Sequence, residues 1–74
     1  MKTDLEIYGK GFYSIAAVSG PGFKWLAANV QDGTDGLTYS DDARMTQDIA
    51  DGAVAAGLAV EINGARYPQT DSAA

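Results

Sequence analysis

Neither cysteine nor histidine occurs anywhere in the chain, and in 74 residues that omission constrains the fold more than any motif present. A domain of about 60 residues buries only about 60% of the surface its unfolded chain exposes, so small domains are commonly braced by disulfides or structural metals. Here no disulfide can form and the softest metal ligands are missing. Packing, helix capping, turn chemistry or self-association must therefore hold the fold. The hydrophobic share of 46% suits an ordinary globular core and argues against wholesale disorder. One compact domain is expected over residues 1–68, with residues 69–74 as a mobile tail that has nothing to bury.

The clearest local signal is a helix over residues 41–56. Ser40 is a good N-cap, and Asp41 and Asp42 in the first turn suit the positive end of the helix dipole. Met45, Ile49, Ala53 and Ala56 form one apolar stripe, with Arg44, Gln47, Asp48, Asp51 and Ala55 toward the other side. Gly57 is placed to end the helix in a left-handed conformation. Gly52 costs a helix about 1 kcal/mol relative to alanine, and its position among small alanines implies a neighbour that packs very closely. The segment that follows alternates as a strand and turns at Asn63-Gly64, the preferred pair for a type I′ hairpin. That register pairs Ile62 with Ala65, Glu61 with Arg66 and Val60 with Tyr67.

In the first half, Leu5 to Tyr8 and Phe12 to Val18 read as strands, with Gly9-Lys10-Gly11 as a hairpin turn or a bulge. Residues 20–30 read as a helix capped by Ser19, its apolar side carrying Phe23, Leu26, Ala27 and Val30; a strand returning from Pro21-Gly22 is the alternative. Gln31 to Gly36 forms a loop and Leu37 to Tyr39 a short strand. The expected fold class is α+β in the order β(β)αβαββ: a small, mostly antiparallel sheet with two helices on one face.

Charge narrows the classes of partner. The chain carries a net charge of −5, and its acidic excess is concentrated in residues 31–52, where Asp32, Asp35, Asp41, Asp42, Asp48 and Asp51 face a single Arg44. Five scattered basic residues make no patch for phosphates, so direct nucleic-acid binding is not expected. A basic surface on a larger protein, including one that holds nucleic acid, is the complementary partner. No membrane span or signal-like apolar segment is visible, and the cytosol is the expected compartment.

No set of residues specifies catalysis or a cofactor. Ser14, Ser19 and Ser40 have no histidine base, and the short Gly9-Lys10-Gly11 and Gly20-Pro21-Gly22 runs lack the phosphate-loop frame. A calcium or carboxylate site in the 32–42 loop is an alternative. An EF-hand register starting at Asp32 nevertheless places Gly36 and Ala43 where ligands are needed, and an Asp/Gly-rich turn explains the composition. Trp25 is of more interest. On a helix it falls nearly opposite Phe23, Leu26 and Val30, either as a boundary residue beneath a loop or as an interface anchor. Tyr8, Tyr13 and Tyr39 are left unassigned to core or surface, and Tyr67 packs within the terminal hairpin. The candidate partner-binding residues are thus Asp41, Asp42, Asp48, Asp51 and Trp25. A homodimer formed through apolar surface near Trp25, or through the edge of the terminal hairpin, is the other binding alternative.

In small size, acidity, lack of a catalytic set and compact sheet-and-helix build, the chain resembles the anti-CRISPR proteins of phages and mobile elements. The residues behind the resemblance are the aspartates from Asp32 to Asp51 and the exposed face of the second helix. It implies a non-enzymatic inhibitor that occupies a nucleic-acid-binding surface of a larger complex. It transfers no residue-level role.

Overall fold

The computed structural model describes residues 3–30 and 35–68. The elements are β1 (Leu5–Lys10), β2 (Phe12–Ala17), α1 (Gly20–Asn29), β3 (Leu37–Ser40), α2 (Ala43–Ala55), β4 (Val60–Ile62) and β5 (Ala65–Tyr67). They build an α+β fold whose sheet runs in the order β3-β2-β1-β4-β5. The β2/β1, β2/β3 and β4/β5 pairs are antiparallel, while β1 and β4 run parallel after the chain crosses over through α2. The expected tail, 69–74, and most of the expected loop, 31–34, lie outside the described residues.

The Gly9-Lys10-Gly11 segment is a hairpin. Lys10 pairs with Phe12 across Gly11, which takes φ +88° at no steric cost. The second hairpin follows the expected register, with Val60 opposite Tyr67, Glu61 opposite Arg66 and Ile62 opposite Ala65. Asn63 (φ 51°) and Gly64 (φ 85°) supply the two left-handed residues of its turn. Asn63 also fastens this turn to β1. Its backbone N–H donates to the Ile7 carbonyl at 2.7 Å, and its side-chain amide accepts from the Gly9 N–H and donates to the Gly9 carbonyl, both at 3.0 Å.

Ser19 caps α1 as expected, its hydroxyl accepting from the Gly22 N–H at 3.0 Å. The α2 cap differs from the sequence expectation. The helix begins at Ala43, and Asp42 is its N-cap, the carboxylate accepting from the N–H groups of Arg44 (2.9 Å) and Met45 (3.4 Å). Ser40 is spent one step earlier: its hydroxyl accepts from the Asp42 N–H and donates to the Asp42 carbonyl, closing the turn that delivers the cap. The C-terminus conforms. Gly57, at φ +89°, donates to the Val54 carbonyl and Leu58 to the Ala53 carbonyl, which together make a Schellman stop.

Both helices cover the same side of the sheet, where Leu5, Ile7, Ile15 and Val60 meet Leu26, Ala50 and Ala53 in one fully buried core. The fully buried residues of α2 are Thr46, Ala50 and Ala53; of the expected Met45/Ile49/Ala53/Ala56 stripe, Ala53 is buried and Ile49 packs half-buried against the core, while Met45 and Ala56 are exposed. Small side chains let this helix sit close on the sheet. Thr46 meets its polar requirement by donating from its hydroxyl to the Asp42 carbonyl at 3.0 Å. The larger Met45 and Ile49 are displaced to the flank that looks toward α1. On α1, Leu26 is buried while Phe23 remains largely exposed.

Asp4 ties three elements together at the head of β1. Its carboxylate accepts from the Ser19 hydroxyl at 2.5 Å and from the Ala59 N–H at 2.8 Å, and its carbonyl accepts from the Val18 N–H at 2.9 Å. The first turn of α1 lies directly on that carbonyl, which is possible because residue 22 is glycine.

Candidate functional site

Two small-residue helices on one sheet leave a trough between them, and the side chains that line it come from both. Trp25, Asn29 and Val30 of the α1 end meet Met45, Asp48, Ile49 and Gly52 of α2 around a groove of about 380 Å³. Trp25 is half-buried and packs against the core. Its position away from the apolar side of α1 therefore does not carry it into solvent. The six-membered edge of the indole extends across to α2, where a β-carbon at residue 52 would lie 3.2 Å from one ring atom and 3.5 Å from the next. The close neighbour implied by a glycine inside α2 is Trp25.

The groove lining is apolar at Trp25, Val30, Met45 and Ile49 and polar at the exposed Asn29 and Asp48. Met45 is 54% exposed although it is a long apolar side chain on a helix flank. Asp48, one helical step from Ile49, and Asn29 supply the polar groups. Asn29 directs its side-chain amide N–H to the Trp25 carbonyl at 2.9 Å, which holds that end of α1 in shape. Such a site suits an apolar or long aliphatic side chain with a cationic end, which would meet Asp48 at the rim.

The five residues expected to contact a partner are divided by the structure. Trp25 and Asp48 share the groove. Asp41 is exposed in the turn just before α2. Asp42 is also exposed, but its carboxylate is committed to the helix N-terminus. Asp51 lies on the opposite flank of α2, where its carboxylate accepts a short hydrogen bond from the Tyr67 hydroxyl, which also receives a weak 3.5 Å contact from the Gln47 amide. Three residues along a helix rotate by about 60° from the starting direction, and that separation sends Asp48 toward α1 and Asp51 toward β5. Loss of the Asp51 hydrogen bond on ionisation raises the Tyr67 phenol above its ordinary value, with desolvation adding in the same direction. A second hollow of about 350 Å³ lies beneath this contact, between α2 and the hairpin, lined by Tyr13, Thr46, Ile62 and Tyr67 among others.

Asp32 and Thr34 of the alternative calcium loop lie outside the described residues, and among the described residues no three acidic side chains gather closely enough to hold a metal ion. No described helix is long and apolar enough to cross a membrane.

Sequence reasoning missed Met45, Ile49, Val30 and Asn29 as groove residues. The first two were assigned to a core stripe. The available signal was Gly52: a glycine on the same flank as Met45 and Ile49 marks where a large side chain from elsewhere crosses. No family model matches the chain, and neither a curated protein nor a solved structure is significantly similar to it.

Proposed function

We propose that this is a non-enzymatic, cytosolic binding protein that docks on a basic surface of a larger protein or ribonucleoprotein complex, in the manner of an anti-CRISPR inhibitor. The observation that carries the reading is the groove between α1 and α2, which puts the sole tryptophan and Asp48 in one site. Trp25 with Met45 and Ile49 supplies an apolar anchor, and Asp48 and Asp41 supply exposed negative charge nearby. Interfaces are commonly built this way, with a desolvated aromatic anchor setting the off-rate and surrounding charge setting encounter and partner choice. Asp42 and Asp51 contribute to the acidic field while holding the helix cap and the hairpin.

The test is binding kinetics against purified CRISPR effector complexes at two salt concentrations. Trp25→Ala is expected to accelerate dissociation about 30-fold, corresponding to a hot-spot loss of about 2 kcal/mol. Asp48→Lys is expected to slow association, with the difference from wild type shrinking at high salt. No binding to any such complex, or binding unchanged in both variants, refutes the reading.

A further inference from the structure

The helices occupy one side of the sheet, and among the described residues nothing covers the other. Ladder alternation places Leu37 and Tyr39 of β3, Phe12, Ser14 and Ala16 of β2, Glu6, Tyr8 and Lys10 of β1, Glu61 of β4 and Arg66 of β5 on this open side. Its aromatic groups are far out in solvent: Phe12 is 61% exposed, Tyr39 58% and Tyr8 48%. Phe12 and Tyr39 stack on one another with ring centroids 5.8 Å apart, making a raised apolar ridge. Contiguous exposed apolar surface of this kind on a small domain marks an interaction site.

We propose that the open sheet face is the contact between two copies of this chain. The first argument is charge. Glu6 and Glu61 against Lys10 and Arg66 make this face neutral, whereas the chain as a whole carries −5. The excess negative charge therefore lies elsewhere on the molecule, and repulsion between two acidic copies is least when they meet through this face.

The second argument is register. Across the face the side chains fall in three rows: Leu37, Ala16, Glu6, Glu61 and Arg66; then Tyr39, Ser14 and Tyr8; then Phe12 and Lys10. A two-fold axis lying in the face along the middle row, perpendicular to the strands, exchanges the outer rows between copies. Lys10 of each copy then lies over Glu6 of the other, and the bulky Phe12 lies over the small Ala16. An axis along β1 would instead stack Glu6 on Glu6 and Lys10 on Lys10, whereas here only Tyr39, Ser14 and Tyr8 of the middle row meet their own counterparts. The face is therefore self-complementary in one orientation, as an isologous dimer requires.

The third argument is size. With strands about 4.8 Å apart and each residue rising about 3.3 Å, two six-residue strands, one of four and two of three give a face of roughly 350 Å², so two copies cover on the order of 700 Å² in total, the range of weak, reversible association. The groove between α1 and α2 faces outward in this arrangement, so dimerisation and partner binding are independent.

Sedimentation equilibrium on the full chain, from micromolar to millimolar concentration, tests the proposal. The wild type is expected to dimerise. Phe12→Asp, Lys10→Glu and Glu6→Lys are each expected to weaken dimerisation at least tenfold with unchanged circular dichroism, these side chains being at the surface. The Lys10→Glu/Glu6→Lys double variant is expected to recover most of the wild-type affinity, because the swap restores the cross-copy pair. A chain that stays monomeric to millimolar concentration overturns the proposal, as does a dimer insensitive to Phe12→Asp or a double variant no better than the singles. Nuclear Overhauser contacts from residues 69–74 to Phe12 and Tyr39 in a monomeric sample would assign the face to the chain's own terminal segment and also overturn it.

Discussion

Gly22 in α1 and Gly52 in α2 both occupy helical positions, so replacing either with alanine removes a backbone-entropy cost of up to about 1 kcal/mol. The structure gives the two substitutions opposite signs. At Gly22 the new β-carbon would lie 2.9 Å from the Asp4 carbonyl carbon and closer still to its oxygen. Backbone cannot rotate out of the way as a side chain can. Relief requires α1 to lift from β1, stretching the hydrogen bond from Val18 N–H to the Asp4 carbonyl (2.9 Å) and the one from the Ser19 hydroxyl to the Asp4 carboxylate (2.5 Å).

Overpacking commonly costs about 1–3 kcal/mol, and a backbone clash with two strained hydrogen bonds belongs at the upper limit, about 3 kcal/mol net. A chain of this size has a total stability of about 4–11 kcal/mol, so Gly22→Ala should remove a large part of it. At Gly52 the new carbon meets only the edge of Trp25, at 3.2 and 3.5 Å, and the indole borders an open groove into which it can tilt by a few tenths of an ångström. The propensity gain then prevails, for a net stabilisation of about 0.5 kcal/mol and a Tm rise of about 2–4 °C. Urea unfolding of both variants, followed by circular dichroism, reads the difference directly. A Gly22→Ala midpoint equal to wild type, or a Gly52→Ala loss as large as that of Gly22→Ala, would show that these contacts are misjudged.

Two further outcomes follow from the polar contacts of α2. Asp42→Ala should cost about 1 kcal/mol in chemical denaturation, whereas Asp41→Ala should stay within about 0.5 kcal/mol, because only Asp42 accepts from the helix N–H groups; equal effects would return the cap to Ser40. The Tyr67 phenol is raised above 10.0 in the folded state, so its contribution to stability is complete below the unfolded value and is lost as pH rises through the folded one. Tyr67→Phe should therefore remove a late component from the alkaline tyrosine absorbance titration and flatten the fall in stability above about pH 10, where the unfolded phenol begins to ionise. A titration curve with its late component intact would assign that component to another residue, Tyr8 being the other phenol raised, chiefly by the negative charge of Glu6.

Local signals were legible wherever a few adjacent residues decide the outcome. The Asn63-Gly64 turn, its register, the Ser19 cap and the Gly57 stop each rest on conformational preferences that act within four or five positions. The rotation of α2 was not legible, since Met45 and Ile49 are more hydrophobic than Thr46 and Ala50, yet the smaller pair is the one fully buried. Which side of the helix turns inward is decided by the whole layer and leaves no mark in the helix itself. The same limit applies to the candidate site. The rule that puts Trp25 away from the Phe23/Leu26/Val30 side is sound for an isolated helix, but it does not say that a second helix stands at that flank with a glycine to receive the ring. Helix periodicity makes Asp51 an equal member of the acidic face, but the Tyr67 hydroxyl, distant in sequence, engages its carboxylate.

The placement of the sole tryptophan also gives the molecule an internal optical gauge. Indole emission responds to local polarity and to nearby quenching groups, and here a single fluorophore borders the groove formed with Met45, Asp48 and Ile49. A blue shift on mixing with an acceptor would therefore report desolvation at that groove, free of signal from any other tryptophan in this chain. Association through the opposite side of the sheet should leave the emission maximum where it was. Without any label, one cuvette can then distinguish which of the two sides of this small protein has been covered.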